Sequence, residues 1–346
     1  MIKPLKPLNI TLLISNWLSV SMIFLIGEVV IRYGVFASLI VVITFVLAFL
    51  ASTMFQRFTL YAYQSSMLLE RIILGFWYLE IFILHFFISG ILLESIFHVS
   101  LYTSIFFTAA AILAAGIIIA CWEGLRPGIQ NLKFLLISGL AIFLPTYIYL
   151  QKGLESVYHN LLHYHPRILH YDQQGILLLI FAAFFIFFTK FFIQRKILMK
   201  YIGPSYRKGI RKLIVAVFIF STFILAFSTM TVVAITQNIE FKHANELLVL
   251  LIKKTSGPMT FQILSLVLYA STLLTLVETC SRFIKKGAGT SQWTLYALII
   301  GTSLITVGAY HYTTLLFIYT VTGVTIGVFS VGAIIFMSLK NIGQKS

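Results

Sequence analysis

The chain has 346 residues, of which 60% are hydrophobic and only 10% charged, and its mean hydropathy is +0.99. Apolar runs of about 20 residues recur from end to end, each enough to cross a hydrocarbon core of ~30 Å, which excludes a water-soluble globule. No run alternates as a membrane β-strand does, so the class is a polytopic helical membrane protein. The net charge of +15 would suit nucleic acid, but the basic residues fall in short loops between apolar runs, as the positive-inside rule predicts.

Hydropathy and the turn or charge signals between runs predict ten spans, at roughly 8–32, 34–55, 70–97, 99–121, 129–151, 173–194, 211–237, 259–283, 292–310 and 314–338. Lys3 and Lys6 before the first run imitate a signal peptide. The run is long and lacks a small-residue cleavage site, so it reads as a span. With the N-terminus inside, 19 of the 25 Lys and Arg lie on the inner side. Arg32, Lys152, Arg167, Lys242, Lys253 and Lys254 remain outside. Both termini are therefore expected in the cytoplasm, with the chain multi-pass in a cell (inner) membrane. Cys121 and Cys280 fall near cytoplasmic helix ends, where a structural disulfide is not expected.

Two outer loops are long, 152–172 and 238–258. The first separates spans 1–5 (8–151) from spans 6–10 (173–338) within a single membrane domain, 1–346. Five is odd, so two such units in tandem lie inverted in the membrane, as in many secondary transporters. The second contains "ANELLVLLIKK", 244–254, an amphipathic stretch expected as a rim or lid helix on the outer surface, with Asn245 a candidate cap.

Several residues are unusual for plain membrane anchors. "SNWLSVSMIFLIGEVVIRYG", 15–34, carries Asn16, Ser15, Ser19 and Ser21 at mid-depth and Glu28 and Arg32 four apart at its outer end. The last two can pair and snorkel to the interface, as structural or gating residues. Glu80 lies near the centre of the third span with Trp77 one turn away, and an acid there must be protonated, paired or facing a wet cavity. It suits proton coupling, a substrate amine, or an interhelical hydrogen bond. His85, about 140° round the helix, forms no obvious couple with it. Glu278 and Arg282 make a favourable i, i+4 pair.

The loop "YHNLLHYHPRILHYD", 158–172, holds His159, His163, His165, His170 and Asp172. Two of these could bind zinc or copper from one helical turn, but Pro166 and the irregular spacing favour a solvated loop, and no metal or cofactor is expected. "GPSYRKG", 203–209, lacks the spacing of a phosphate-binding loop and suits anionic lipid headgroups.

Four segments, in order, resemble the sodium:solute symporter family, a LeuT-type fold of the APC superfamily. They are "SNWLSVSMIFLIGEVVIRYGV" (15–35), "ACWEGLRPGIQNLKFLLI" (120–137), "FIQRKILMKYIGPSYRKGIRK" (192–212) and, more weakly, "ASTLLTLVETCSR" (270–282). The resemblance implies a minimal ten-helix core, all-α, with a 5+5 inverted repeat whose spans 1 and 6 are interrupted near the midplane. It places a sodium site at the carbonyls of Ser15, Leu18 and Thr272 and the hydroxyl of Thr275. Asn16, Trp17, Ser19, Ser21 and, as an intramembrane acid, Glu80 are the candidates for substrate binding or coupling. The chain departs from the family twice: Leu276 stands where a second hydroxyl belongs, and "GILLLIFAAFFIFFTKFF" (175–192) has no glycine break in span 6. A hard cation wants oxygen ligands, so the ion site is one short.

The expectation is a secondary transporter, symporter-like and not an enzyme. It would move a small polar or charged solute coupled to Na⁺ or H⁺, with membrane lipids as partners and no nucleic acid. The rival is a non-transporting membrane sensor or subunit with a separate signalling partner. A third reading is a membrane-embedded enzyme using Glu80 or the loop histidines.

Overall fold

The computed structural model describes residues 14, 17–54, 67–121, 126–152, 154–164, 175–202, 206–237, 239, 246–286, 292–310 and 312–343. Among these there is no strand. Among the described residues twelve helices follow one another: α1 (Val20–Tyr33), α2 (Val35–Met54), α3 (Met67–Phe97), α4 (Leu101–Cys121), α5 (Arg126–Lys152), α6 (Leu154–Tyr164), α7 (Ile176–Ile202), α8 (Tyr206–Thr236), α9 (Leu247–Thr255), α10 (Pro258–Lys286), α11 (Gln292–Ala309) and α12 (Leu315–Gly343). Six of them, α2, α3, α5, α8, α10 and α12, are long and apolar enough to cross a membrane, and three more carry shorter apolar segments. The chain is an all-helical, multi-pass membrane protein.

The core gathers round α3. Of its segment Leu74–Phe97, 83% is buried inside the molecule, against 33–56% for the other five spans. A helix enclosed on all sides shows no polar face, which is why its sequence is apolar all round, with Glu80 and His85 the buried exceptions in its middle. It packs on α4, α10, α11 and α12, while α7 packs on α2 and α12, and α8 on α1, α2 and α5. Further pairs are α4 with α10 and α11, and α5 with α10.

The α7–α12 contact is drawn tight by two glycines one turn apart. A Cβ on Gly323 would stand 2.7 Å from the Ala182 carbonyl oxygen, and one on Gly327 would stand 2.8 Å from the Phe185 ring. This small-xxx-small spacing lets the backbones close without a hydrophobic driving force between helices.

The first span is not one helix. Ile14 and Trp17 have helical backbone and the Leu18 N–H donates to the Ile14 carbonyl at 2.8 Å, but Leu18 and Ser19 leave the helix. Ser19 is extended (φ −144°, ψ 159°) and α1 restarts at Val20. Neither Gly nor Pro causes the break. Serine hydroxyls compete with the backbone for hydrogen bonds, and Ser19 Oγ and Ser21 Oγ pair at 2.7 Å across the restart.

Both long loops hold helices. α6 is an exposed amphipathic helix of about three turns beyond α5. α9 differs from the expected surface rim: Leu247, Val249, Leu251 and Ile252 are buried, packed on α1, α8 and α10. Its N-cap is Glu246, while Asn245 lies outside the described residues. Burial of one apolar face wins because α1 and α8 leave a cleft there, lined by Phe24, Gly27 and Thr231.

The Glu28–Arg32 pair does not form. Glu28 is buried and its Oε2 accepts the Leu316 N–H at 2.8 Å, so it caps the start of α12. Arg32 is exposed, its guanidinium 5.7 Å from the Tyr33 ring. An orphan helix N–H is a better partner for a buried carboxylate than a cation that solvent can hold.

Candidate functional site

The break in the first span opens on a cavity of about 40 Å³ between α1, α3, α5, α7 and α10. Trp17, Ser19 and Ser21 form its wall at the break, Trp77, Tyr78, Glu80 and His85 come from α3, Lys133 from α5, Lys190 from α7, and Thr275, Glu278 and Thr279 from α10. At 1.5 Å per residue, Ser19 lies about 21 Å along the chain from Tyr33 and Lys190 about 22 Å from Gly175, where those two helix ends meet, beyond the middle of a ~30 Å span. A water needs about 10–15 Å³ of such space, so the cavity has room for about three.

Each acid in the cavity has its own lysine. Glu278 is complete: Gln130 Nε2 donates to Oε1 at 2.6 Å and Lys133 Nζ to Oε2 at 3.1 Å, with both ion-pair side chains 4% exposed. Glu80 is open: Lys190 Nζ stands 4.0 Å from Oε1, outside hydrogen-bond range. Its Oε2 has no hydrogen-bond partner among the described residues, nor have His85 Nε2 and Trp77 Nε1. His85 Nδ1 is 2.8 Å from the Ile81 carbonyl oxygen. A carbonyl only accepts, so Nδ1 carries the proton and the neutral ring presents a bare Nε2.

Aromatic rings hold the break in place. Trp17 meets Phe45 of α2, Phe191 of α7 and Phe220 of α8 edge-on, at centroid distances of 5.7, 5.1 and 6.1 Å. Such contacts fix ring orientation as well as burying area.

Of the residues singled out in the sequence, Trp17, Ser19, Ser21, Glu80, Thr275 and Glu278 meet at this cavity, while Leu18 and Thr272 do not line it. Thr272 and Thr275 donate their hydroxyls to the Leu268 and Ser271 carbonyls. Ser15 and Asn16 lie outside the described residues, as does the Arg282 side chain, so the Glu278–Arg282 pair is not described. No cluster of metal-ligating residues occurs among the described residues. His159 instead stands 4.0 Å from Glu155 on exposed α6, and His165, His170 and Asp172 lie outside the described residues.

Sequence reasoning missed three members. Lys133 and Lys190 had been read as inner-loop charges of the positive-inside pattern, and His85 as lying on a different face from Glu80. Lys133 is buried inside α5, and the cavity wraps far enough round α3 for both His85 and Glu80 to reach it. The spacing of Gln130 and Lys133, i and i+3 on one face, was the available signal. No protein-family model matches the chain, and no curated protein matches it.

Proposed function

We propose that the chain is a secondary transporter with a LeuT-type 5+5 inverted-repeat core that moves a small polar solute by alternating access, coupled to protons. One observation carries the reading: an interrupted first span whose restart lines a buried cavity holding two carboxylates and two lysines. Intramembrane charges are costly and mark solute or proton pathways by default.

Part of the packing supports the repeat. With α1–α5 as spans 1–5 and α7, α8, α10, α11 and α12 as spans 6–10, adding five to three of the contacts returns others, while the α7–α12 pairing has no α1–α5 counterpart. The pairing of spans 2 and 6 returns that of 7 and 1, the pairing of 3 and 9 returns that of 8 and 4, and the pairing of 5 and 8 returns that of 10 and 3. In this scheme α1, α2, α7 and α8 rock against α3, α4, α10 and α11, with α5 and α12 as gates and both termini in the cytoplasm. Protons are preferred to sodium because Leu276 offers no oxygen ligand where the resemblance calls for a second hydroxyl.

Reconstituted vesicles test this with a solute panel: an inward proton gradient should drive accumulation and a sodium gradient alone should not. Sodium-driven uptake would overturn proton coupling. A second reading, a non-transporting sensor of the same fold, draws on α7, which runs unbroken through 27 residues where its repeat counterpart is interrupted. Solute binding without flux, with one partner co-purifying, would replace the first reading by this one.

A further inference from the structure

We infer that α6 binds phospholipid: it lies flat in the headgroup layer of one leaflet and sets its Tyr158–Leu162 edge among the acyl chains, with His159 and His163 turned to water. This surface is separate from the cavity and needs no transport. Successive helix residues turn by about 100°, so with Tyr158 at zero Leu162 stands at about 40°, Glu155 at 60°, His159 at 100° and His163 at 140°. Tyr158 and Leu162 are 60% and 44% exposed. The Glu155 and His159 side chains are exposed as well, as is His163. The surface that protein leaves uncovered on α6 is therefore divided lengthwise, an apolar edge beside a polar one, which is the pattern of a helix lying at a membrane boundary.

The depth of α6 follows from its neighbours. Trp293 and Tyr312, both strongly exposed, bracket α11, whose 18 residues are about 27 Å long and so match a hydrocarbon core of ~30 Å. Tyr and Trp gather at the two boundaries of that core, so Tyr312 marks one of them. α5 ends on the same side. Lys133 near its start bonds Glu278 near the end of α10, so the two helices run in opposite directions. α10 begins just after α9, whose N-cap Glu246 accepts the Tyr310 hydroxyl beside Tyr312. Along α5 the exposed side chains Leu135, Ile142, Phe143 and Leu150 form one row, which hydrocarbon covers in a membrane-crossing helix. Only Gly153 separates α5 from α6, so the apolar edge of α6 continues a surface that lipid already occupies. The Tyr149 hydroxyl donates to the Thr229 carbonyl at 3.2 Å, and α8 runs on for about 10 Å to Thr236. α6 packs on α8, whose exposed side chains stop at Leu225.

Fluorescence quenching in nanodiscs of phosphatidylcholine tests this on the full chain. Tyr158→Trp, His159→Trp, Leu162→Trp and His163→Trp are made one at a time, and the emission of the four native tryptophans is subtracted with the unaltered protein. Phosphatidylcholine brominated near the glycerol end of its acyl chains should remove roughly half or more of the emission added at 158 and 162, while acrylamide in the water should leave it nearly intact. At 159 and 163 the two quenchers should exchange roles. Hydroxyl-radical footprinting of the unaltered protein reads the same edge without substitution: oxidation should mark His159 and His163 and spare Tyr158 and Leu162. Acrylamide reaching all four positions alike, with no quenching by bromine, would place α6 in water and overturn the inference. Shielding of 158 and 162 from both quenchers would overturn it too, since another protein surface, such as a second copy of this chain, would then cover the edge.

Discussion

Glu278 and Glu80 share one cavity in opposite conditions, one with both oxygens bonded and the other with a bare one. Removing Lys133 alone would strand a buried carboxylate, so Lys133→Met should destabilise the protein by about 3–5 kcal/mol. Adding Glu278→Met to it should recover much of that loss, since two apolar side chains replace the pair. Denaturant unfolding in detergent reads both, and a single variant as stable as the parent would show the pair to be solvated. At the other end of α1, Glu28→Ala leaves the buried Leu316 N–H without its acceptor and should cost about 1–3 kcal/mol, with Glu28→Gln closer to neutral. Glu80 and Glu28 were legible as anomalies, because acids in apolar runs stand out. Their partners were not: Lys190 and Leu316 lie 110 and 288 residues away in sequence, and nothing local to an acid names a distant donor.

Helix by helix, the sequence spoke clearly where apolar length sufficed and ambiguously where polarity intruded. The break at Leu18–Ser19 was foreshadowed by Ser15, Asn16 and Ser19, yet the same serines could have bonded back along an intact helix, as Thr272 and Thr275 do. What decides between these outcomes is a cavity beside the serines, and that depends on five helices at once. The descent of α9 was hidden for the same reason, since an amphipathic stretch fits a rim and a cleft equally. The glycines at 323 and 327 escaped notice in the sequence, and only the contact with Ala182 and Phe185 shows what they are for. Gly323→Val would drive side-chain atoms into the Ala182 backbone and should separate α7 from α12, lowering stability by about 1–3 kcal/mol. Gly332→Ala, whose added methyl meets nothing within 4 Å, is the matched control and should be neutral in the same unfolding assay.

For the molecule as a whole, the central place of α3 and the break just before α1 set a stability gradient. Amides in Leu74–Phe97 should exchange hydrogen last, because opening them requires separating four packed neighbours. Those at Leu18–Met22 should exchange far sooner despite being as deep in the membrane, since the helix ladder is cut there and the cavity can admit water. Mass-spectrometric exchange in nanodiscs would show this, and uniform protection of both segments would mean that the break is sealed. Fold class was legible from composition alone, for hydrocarbon permits few alternatives. The order of packing was not, because spans of similar hydropathy can be arranged in many ways at equal transfer free energy.

The Glu28–Leu316 bond has a consequence for biosynthesis. The acceptor leaves the ribosome 288 residues before its donor. At about 5–20 residues per second, that is roughly a quarter-minute to a minute with a carboxylate in or near the bilayer and no α12 to cap. Until then the nascent chain must keep the Glu28 end of α1 near water or in the care of the insertion machinery. The late-arriving α12 therefore locks the much earlier α1, and a chain stalled before Leu315 would display an unsatisfied acid that quality control could recognise.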